Sequence, residues 1–137
     1  MAFKQYLKEM DEAKFSALNE YVFDLMFFAV QAHAWHLQTG SYAAHIALND
    51  LYDALPGLAD AIAEAIIGIN RKLVSPSKPY TFVHDTASDI TGIVAALDSF
   101  KARATQLTTN DEVGIGNTLA DLVSLIDKTI YKLKNLK

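Results

Sequence analysis

The chain has 137 residues, which at ~100–200 residues per domain makes residues 1–137 a single domain. It contains 0 cysteines, which excludes disulfides, thiol nucleophiles and zinc–thiolate sites together. Lys+Arg of 12 against Asp+Glu of 16 gives a net charge of -4, which disfavours nucleic acid as a partner, and 51% hydrophobic residues exclude disorder.

The first apolar-periodic segment runs from about Asp11 to Gln38. At ~100° per residue, Phe15, Leu18, Val22, Leu25, Met26, Ala29, His33 and His36 share one stripe, with both histidines read as facing inward. Tyr21, Phe28 and Trp35 form a second stripe. One stripe suffices for a bundle helix, so the second is expected either to meet another subunit or to be wrapped by the helix's own chain. The richest run, Tyr21 to Trp35, carries Asp24, Gln31 and His33, and falls short of the ~20 apolar residues of a membrane span. The start, Met1-Ala2-Phe3-Lys4, has no charged region followed by an apolar one, so a soluble, cytoplasmic protein is expected.

Gly40-Ser41 breaks the pattern before a second segment, Tyr42 to about Arg71. Leu48, Leu51, Tyr52, Leu55, Ala59, Ile62 and Ile66 make its core stripe, and Asn49, Asp53, Asp60 and Glu64 lie on a flank with His45 at its boundary. Pro56 lacks a backbone donor and clashes with the preceding turn, which predicts a kink or local break. Residues 74 to 80 read as a loop, and Tyr80-Thr81-Phe82-Val83 as the one extended stretch.

The third segment, about Asp85 to Leu107, has Ile90, Ile93, Val94, Leu97 and Ala104 on one side and Asp85 or Ser88 as its N-cap. The fourth, about Asp111 to Leu136, carries Ile115, Leu119, Leu122, Val123, Ile126, Ile130 and Leu133 at helical spacing. Lys128, Lys132 and Lys134 suit the negative end of its dipole. Four helices with one long connection in the middle predict an all-α four-helix bundle of ferritin-like connectivity, with the long crossover between helices two and three.

Three of the 4 histidines, His33, His36 and His45, flank the Gly40-Ser41 turn, which brings the imidazoles to one end of the bundle. Asp60 and Glu64 follow one turn apart on the second helix. Imidazole with carboxylate is a ligand set for iron, manganese or zinc where thiolates are absent. Each element also has a plain structural reading: hydrogen-bonded core histidines, and a solvated acidic flank. At ~1.5 Å per residue Asp60 lies ~22 Å along the helix from His45, so the two cannot share an ion within one subunit. Two antiparallel copies about a two-fold axis would bring His45 of one to Asp60 and Glu64 of the other.

These residues resemble those of the Dps family, the DNA-binding proteins from starved cells, mini-ferritins of the ferritin-like superfamily. The likeness is carried by Leu18-Asn19, Val22, Val30, His33 and His36 in the first helix, and by His45-Ile-Ala-Leu-Asn49-Asp50-Leu51-Tyr52 and Asp60-Ala-Ile-Ala-Glu64 in the second. Asp111-Glu-Val-Gly and Asp127-Lys-Thr-Ile-Tyr-Lys-Leu add to it near the end. The resemblance implies a ferroxidase centre shared between two subunits, holding iron (Fe2+/Fe3+) on His36, His45, Asp60 and Glu64. His33 is then a second or alternative first-helix ligand, and Asn49 stands where the family usually has another Asp. It further implies a homo-oligomer, at least a dimer and up to a hollow shell, that oxidises and stores ferrous iron and limits peroxide-driven damage.

The order Trp35-His36, a turn about three residues shorter than the family's, Asn49 and the missing basic tail depart from the family pattern. The alternative expectation is therefore a ferritin-like structural or interaction protein with a weakened or lost ferroxidase site. DNA binding is not expected.

Overall fold

The computed structural model describes residues 2–83, 90–108 and 112–136, with side chains from residue 12 onward. They form four helices: α1 (Ala2–Gln38), α2 (Tyr42–Gly68), α3 (Ile90–Leu107) and α4 (Val113–Asn135). No strand occurs among the described residues, and Tyr80–Val83 runs as irregular backbone. The expected caps Asp85 and Ser88 lie outside the described residues.

The turn between α1 and α2 is built by its own side chains. Ser41 sits in extended backbone, and its hydroxyl accepts from the Ala44 N–H at 3.2 Å, capping a helix end that would otherwise leave a donor unpaired. α2 is helical through Pro56, so of the expected kink or local break, no break occurs there. Pro56 is exposed, while Leu55 and Ala59 beside it are buried in the bundle, and that packing offsets the missing hydrogen bond. α2 ends where Asn70 takes φ 67, with Asn70 N–H donating to the Ile67 carbonyl and Arg71 N–H to that of Ile66. Asparagine is among the few side chains that adopt this left-handed conformation readily.

After Asn70 the chain climbs back along α1 as a strap, and α1 carries a polar side chain at each fastening point. Asn19 donates to the Val74 carbonyl at 2.7 Å and accepts from its N–H at 2.8 Å. Asp24 receives the Tyr80 hydroxyl at 2.7 Å. Gln31 accepts from Val83 N–H at 2.7 Å and donates to its carbonyl at 3.4 Å. These amides do for an unpaired strap what a neighbouring strand would do: they satisfy its backbone donor and acceptor together. The strap and α1 therefore run in the same direction, and the crossover spans the bundle.

α3 descends beside α1, where Tyr21 donates to the Phe100 carbonyl at 2.7 Å and Phe28 stacks on Phe100 at 4.2 Å. α4 packs against both α3 and α2, with Lys101–Asp127 at 2.7 Å on one side and Lys132–Asp50 at 3.4 Å on the other. The second apolar stripe of α1 is accounted for here. Tyr21, Phe28 and Trp35 are buried within the chain, against α3 and the strap. They are not a subunit interface.

Candidate metal-binding face of α1 and α2

The three histidines do meet at one end of the α1–α2 pair. His36 and His45 stack face to face, ring centroids 3.7 Å apart and planes at 21°. His36 Nδ1 lies 2.7 Å from the His45 carbonyl oxygen, and His45 Nδ1 lies 2.9 Å from that of His36. A carbonyl oxygen only accepts, so both Nδ1 atoms carry hydrogen, which leaves Nε2 as the ring position able to offer a lone pair. This is the tautomer an imidazole needs to bind a metal through Nε2.

The same stacking limits what the pair can do. A metal sits in the plane of the ring that binds it, at ~2.0–2.1 Å for zinc, for example. Two nearly parallel rings 3.7 Å apart hold their lone pairs in separate planes, so one ion does not engage both in this arrangement.

His33 departs from the inward orientation expected of it. It is exposed, whereas His36 is buried. Periodicity put both on the apolar stripe, and the packing of α2 across the turn covers His36 and leaves His33 outward. His33 stacks on Tyr52 at 4.1 Å and lines an open groove of about 590 Å³ between α1 and α2. Met26, Val30, Pro56, Ala63 and Asp60 line the same groove. His33 and Asp60 thus share one face of a single chain, and Glu64 lies exposed one turn beyond Asp60. Asn49 is turned to its own helix: it accepts from the Tyr52 hydroxyl at 2.9 Å and donates to Asp53 at 3.2 Å. Among the described residues no three His, Asp or Glu side chains of one chain converge on a metal position.

The face is apolar for so exposed a surface. Met26 and Val30, which line it, are 51% and 50% exposed, and Leu37, Tyr42, Ile46 and Ile67 are exposed on the same two helices. None of the helices with described residues is long and apolar enough to cross a membrane.

Sequence reasoning missed the polar node on the opposite side of α1. Asp24 is buried and accepts from Arg103 at 2.7 Å, Lys78 at 2.9 Å and Tyr80 at 2.7 Å. Burial by itself would raise its pKa; the hydrogen bonds from Tyr80, Lys78 and Arg103 outweigh that and hold the carboxyl below the ordinary value. Burial and the Asp24 charge push the Tyr80 phenol up to about 12. An aspartate inside the apolar run Tyr21 to Trp35 was the available signal.

Comparison with known proteins places the chain. The model of a family of unknown function, DUF5856, matches residues 36–133. The chain belongs to that family. It is also 26% identical over 118 residues to an uncharacterized 14.6 kDa protein from the mobD-ri intergenic region of Enterobacteria phage T4, covering 86% of this chain and 88% of the relative. No solved structure matches. Within this DUF5856 protein the matched residues include His36, His45, Asp60 and Glu64.

Proposed function

We propose that this DUF5856 protein pairs through its α1–α2 face and binds ferrous iron as substrate between the two copies, oxidising it with dioxygen or peroxide from solution. The observation that carries the reading is the groove itself: an exposed apolar face holds an outward imidazole, His33, and a carboxylate, Asp60, in one channel. A two-fold axis through such a face sets the histidine end of one copy against the acidic end of the other. The up-down-down-up course of the chain, with a crossover spanning the bundle, agrees with the Dps-like, ferritin-like reading of the sequence.

In this arrangement His33 and His45 of one subunit face Asp60 and Glu64 of the partner subunit. His36 positions His45 by accepting its stacking and bonding its carbonyl. Carboxylate oxygens stabilise the ferric product as well as the ferrous substrate, and no thiol is present for the oxidant to consume. Removing ferrous iron and oxidant together from solution would protect against peroxide damage, and further assembly of dimers into a shell would store the product.

Aerobic addition of ferrous iron, followed by near-ultraviolet absorbance, tests the activity; a progress curve no faster than buffer overturns it. Complementation tests the geometry. His45→Ala and Glu64→Ala should each be inactive, since each empties a position in both sites of the dimer. A mixed dimer carries both defects in one site and none in the other, so about half of the activity per heterodimer should return. Mixed dimers that form and stay inactive would refute the intersubunit site.

A second reading is favoured by Asn49, a neutral side chain already bonded to Tyr52 and Asp53. Here the face is an interaction surface without oxidation. A dimer in solution with no acceleration of iron oxidation would establish it over the first.

A further inference from the structure

We propose that strap residues 74–83 form a salt-sensitive latch, which leaves α1 as one unit while the four helices stay packed. It uses none of the residues of the iron reading. The stripe that holds it is Glu20, Asp24, Phe27 and Gln31, spaced four, three and four along α1, with Asn19 at one end. Asn19 and Gln31 secure the two ends, each through both backbone groups of one residue, Val74 and Val83. Between them Lys78 lies 2.7 Å from Glu20 and 2.9 Å from Asp24, and the Tyr80 hydroxyl donates to Asp24. Phe27 stacks on Tyr80 at 5.0 Å and meets Phe82 at 5.5 Å.

Two observations make this segment detachable. The first is that its seat is polar and wet. Every residue from Val74 to Val83 is exposed except the half-buried Pro76, and none of the buried core side chains comes from the segment. Release therefore uncovers little apolar surface, and water takes up each donor and acceptor set free. Few buried apolar contacts and solvent-exposed hydrogen bonds define the parts of a fold that open below the global unfolding free energy.

The second observation is that what lies beneath is complete without the strap. Phe100 of α3 still holds Tyr21 and Phe28, and Arg103 still pairs with Asp24 at 2.7 Å, so the carboxylate keeps a cation when Lys78 and Tyr80 depart. Just before the latch, Arg71 pairs with Glu12 and lies over the Phe15 ring at 4.5 Å, and Leu73 packs on the core, so release begins at Val74. The fasteners share members: Asp24 takes both Lys78 and Tyr80, and Phe27 takes both Tyr80 and Phe82. Loosening one loosens the next, and the segment comes away whole. Salt is the trigger, because the Lys78 and Glu20 side chains are 38% and 52% exposed and their attraction is screened.

Native-state hydrogen exchange tests the latch, since the Val74 and Val83 amides donate to Asn19 and Gln31 and report its two ends. Their protection factors should agree within about three-fold and lie at least about a hundred-fold below that of Leu122 in the core of α4. Low urea should leave them unchanged, because the opening exposes little surface. Lys78→Ala, which touches neither amide, should lower both by the same factor, about five-fold for two partly exposed ion pairs. Raising salt from about 50 mM to about 1 M should lower both in the unsubstituted chain. Leu119→Ala, at a fully buried position in α4, should lower the protection of Leu122 and leave Val74 and Val83 as they were. Strap amides that follow the core in urea or in Leu119→Ala, a Lys78→Ala effect on one end alone, or indifference to salt would each overturn the proposal. Should Lys78→Ala fail to fold, the urea and salt responses of the unsubstituted chain decide the matter.

Discussion

Replacing Asp24 by asparagine isolates the electrostatic contribution of the node that ties α1, the strap and α3 together. The carboxylate accepts from Tyr80, Lys78 and Arg103, all within 2.9 Å. Hydrogen bonds to a charged group contribute ~1.5–3 kcal/mol each, so three would suggest ~4–5 kcal/mol at the lower figure. Two corrections reduce this. Lys78 keeps Glu20 at 2.7 Å after the substitution, and the Lys78 and Arg103 side chains are 38% and 35% exposed, so water recovers part of their solvation. The amide also retains its volume and one acceptor oxygen. We therefore expect Asp24→Asn to cost ~2 kcal/mol, a fall of about 6–8 °C in Tm for a domain of this size. The pH dependence carries a sign of its own. The folded carboxyl is held below its unfolded value of 3.8, so the contribution is complete above that pH and is lost as pH falls through the folded value. The gap between parent and variant in urea and thermal denaturation, read by far-ultraviolet circular dichroism, should be constant from pH 6 to 8. It should close in strong acid, once pH has fallen below 3.8 and through the folded value. A variant melting within about 1 °C of the parent at neutral pH, or a gap that persists in acid, would refute the assignment.

Three further outcomes are expected. Pro56→Ala restores a donor to the Tyr52 carbonyl in a helix already continuous through this position, and should raise stability by ~1–2 kcal/mol, seen as a higher urea midpoint. Ser41→Ala removes the acceptor for Ala44 N–H and should lower stability by ~1 kcal/mol in the same assay. Met26→Asp changes a side chain 51% exposed in the chain, so its effect on a lone bundle should stay within ~0.5 kcal/mol. In sedimentation it should convert a dimer into the 15.1 kDa monomer, and an unchanged mass would remove the α1–α2 face as the interface.

The helices were legible because each has to bury one stripe at a period of 3.6, and that requirement is written locally. Ile115, Leu119, Leu122, Ile126 and Leu133 are all buried in α4, as their spacing predicts. The turn was legible for a similar reason, since Ser41 caps with its own side chain. Segment ends were less so: α1 begins at Ala2 and α2 stops at Gly68, because the residues that set those limits act through backbone geometry rather than hydrophobic pattern. Of the candidate site, the meeting of His33, His36 and His45 followed from the length of the turn.

Which imidazole faces outward did not follow. His33 and His36 are equivalent by period, and the packing of α2 across the turn is what buries His36 against His45 and leaves His33 in the groove with Asp60. The role of the Tyr21, Phe28 and Trp35 stripe was open in the same way, since periodicity shows that a face is apolar but not what covers it. Composition, helix number and the gathering of histidines at one end are properties of the chain taken a few turns at a time. The covering of the second stripe by α3 and the strap is long-range, and the burial of Asp24 between Tyr80, Lys78 and Arg103 joins residues 54 to 79 positions apart. Contacts of that range exist only once the crossover has been laid along α1, and only the tertiary structure decides them.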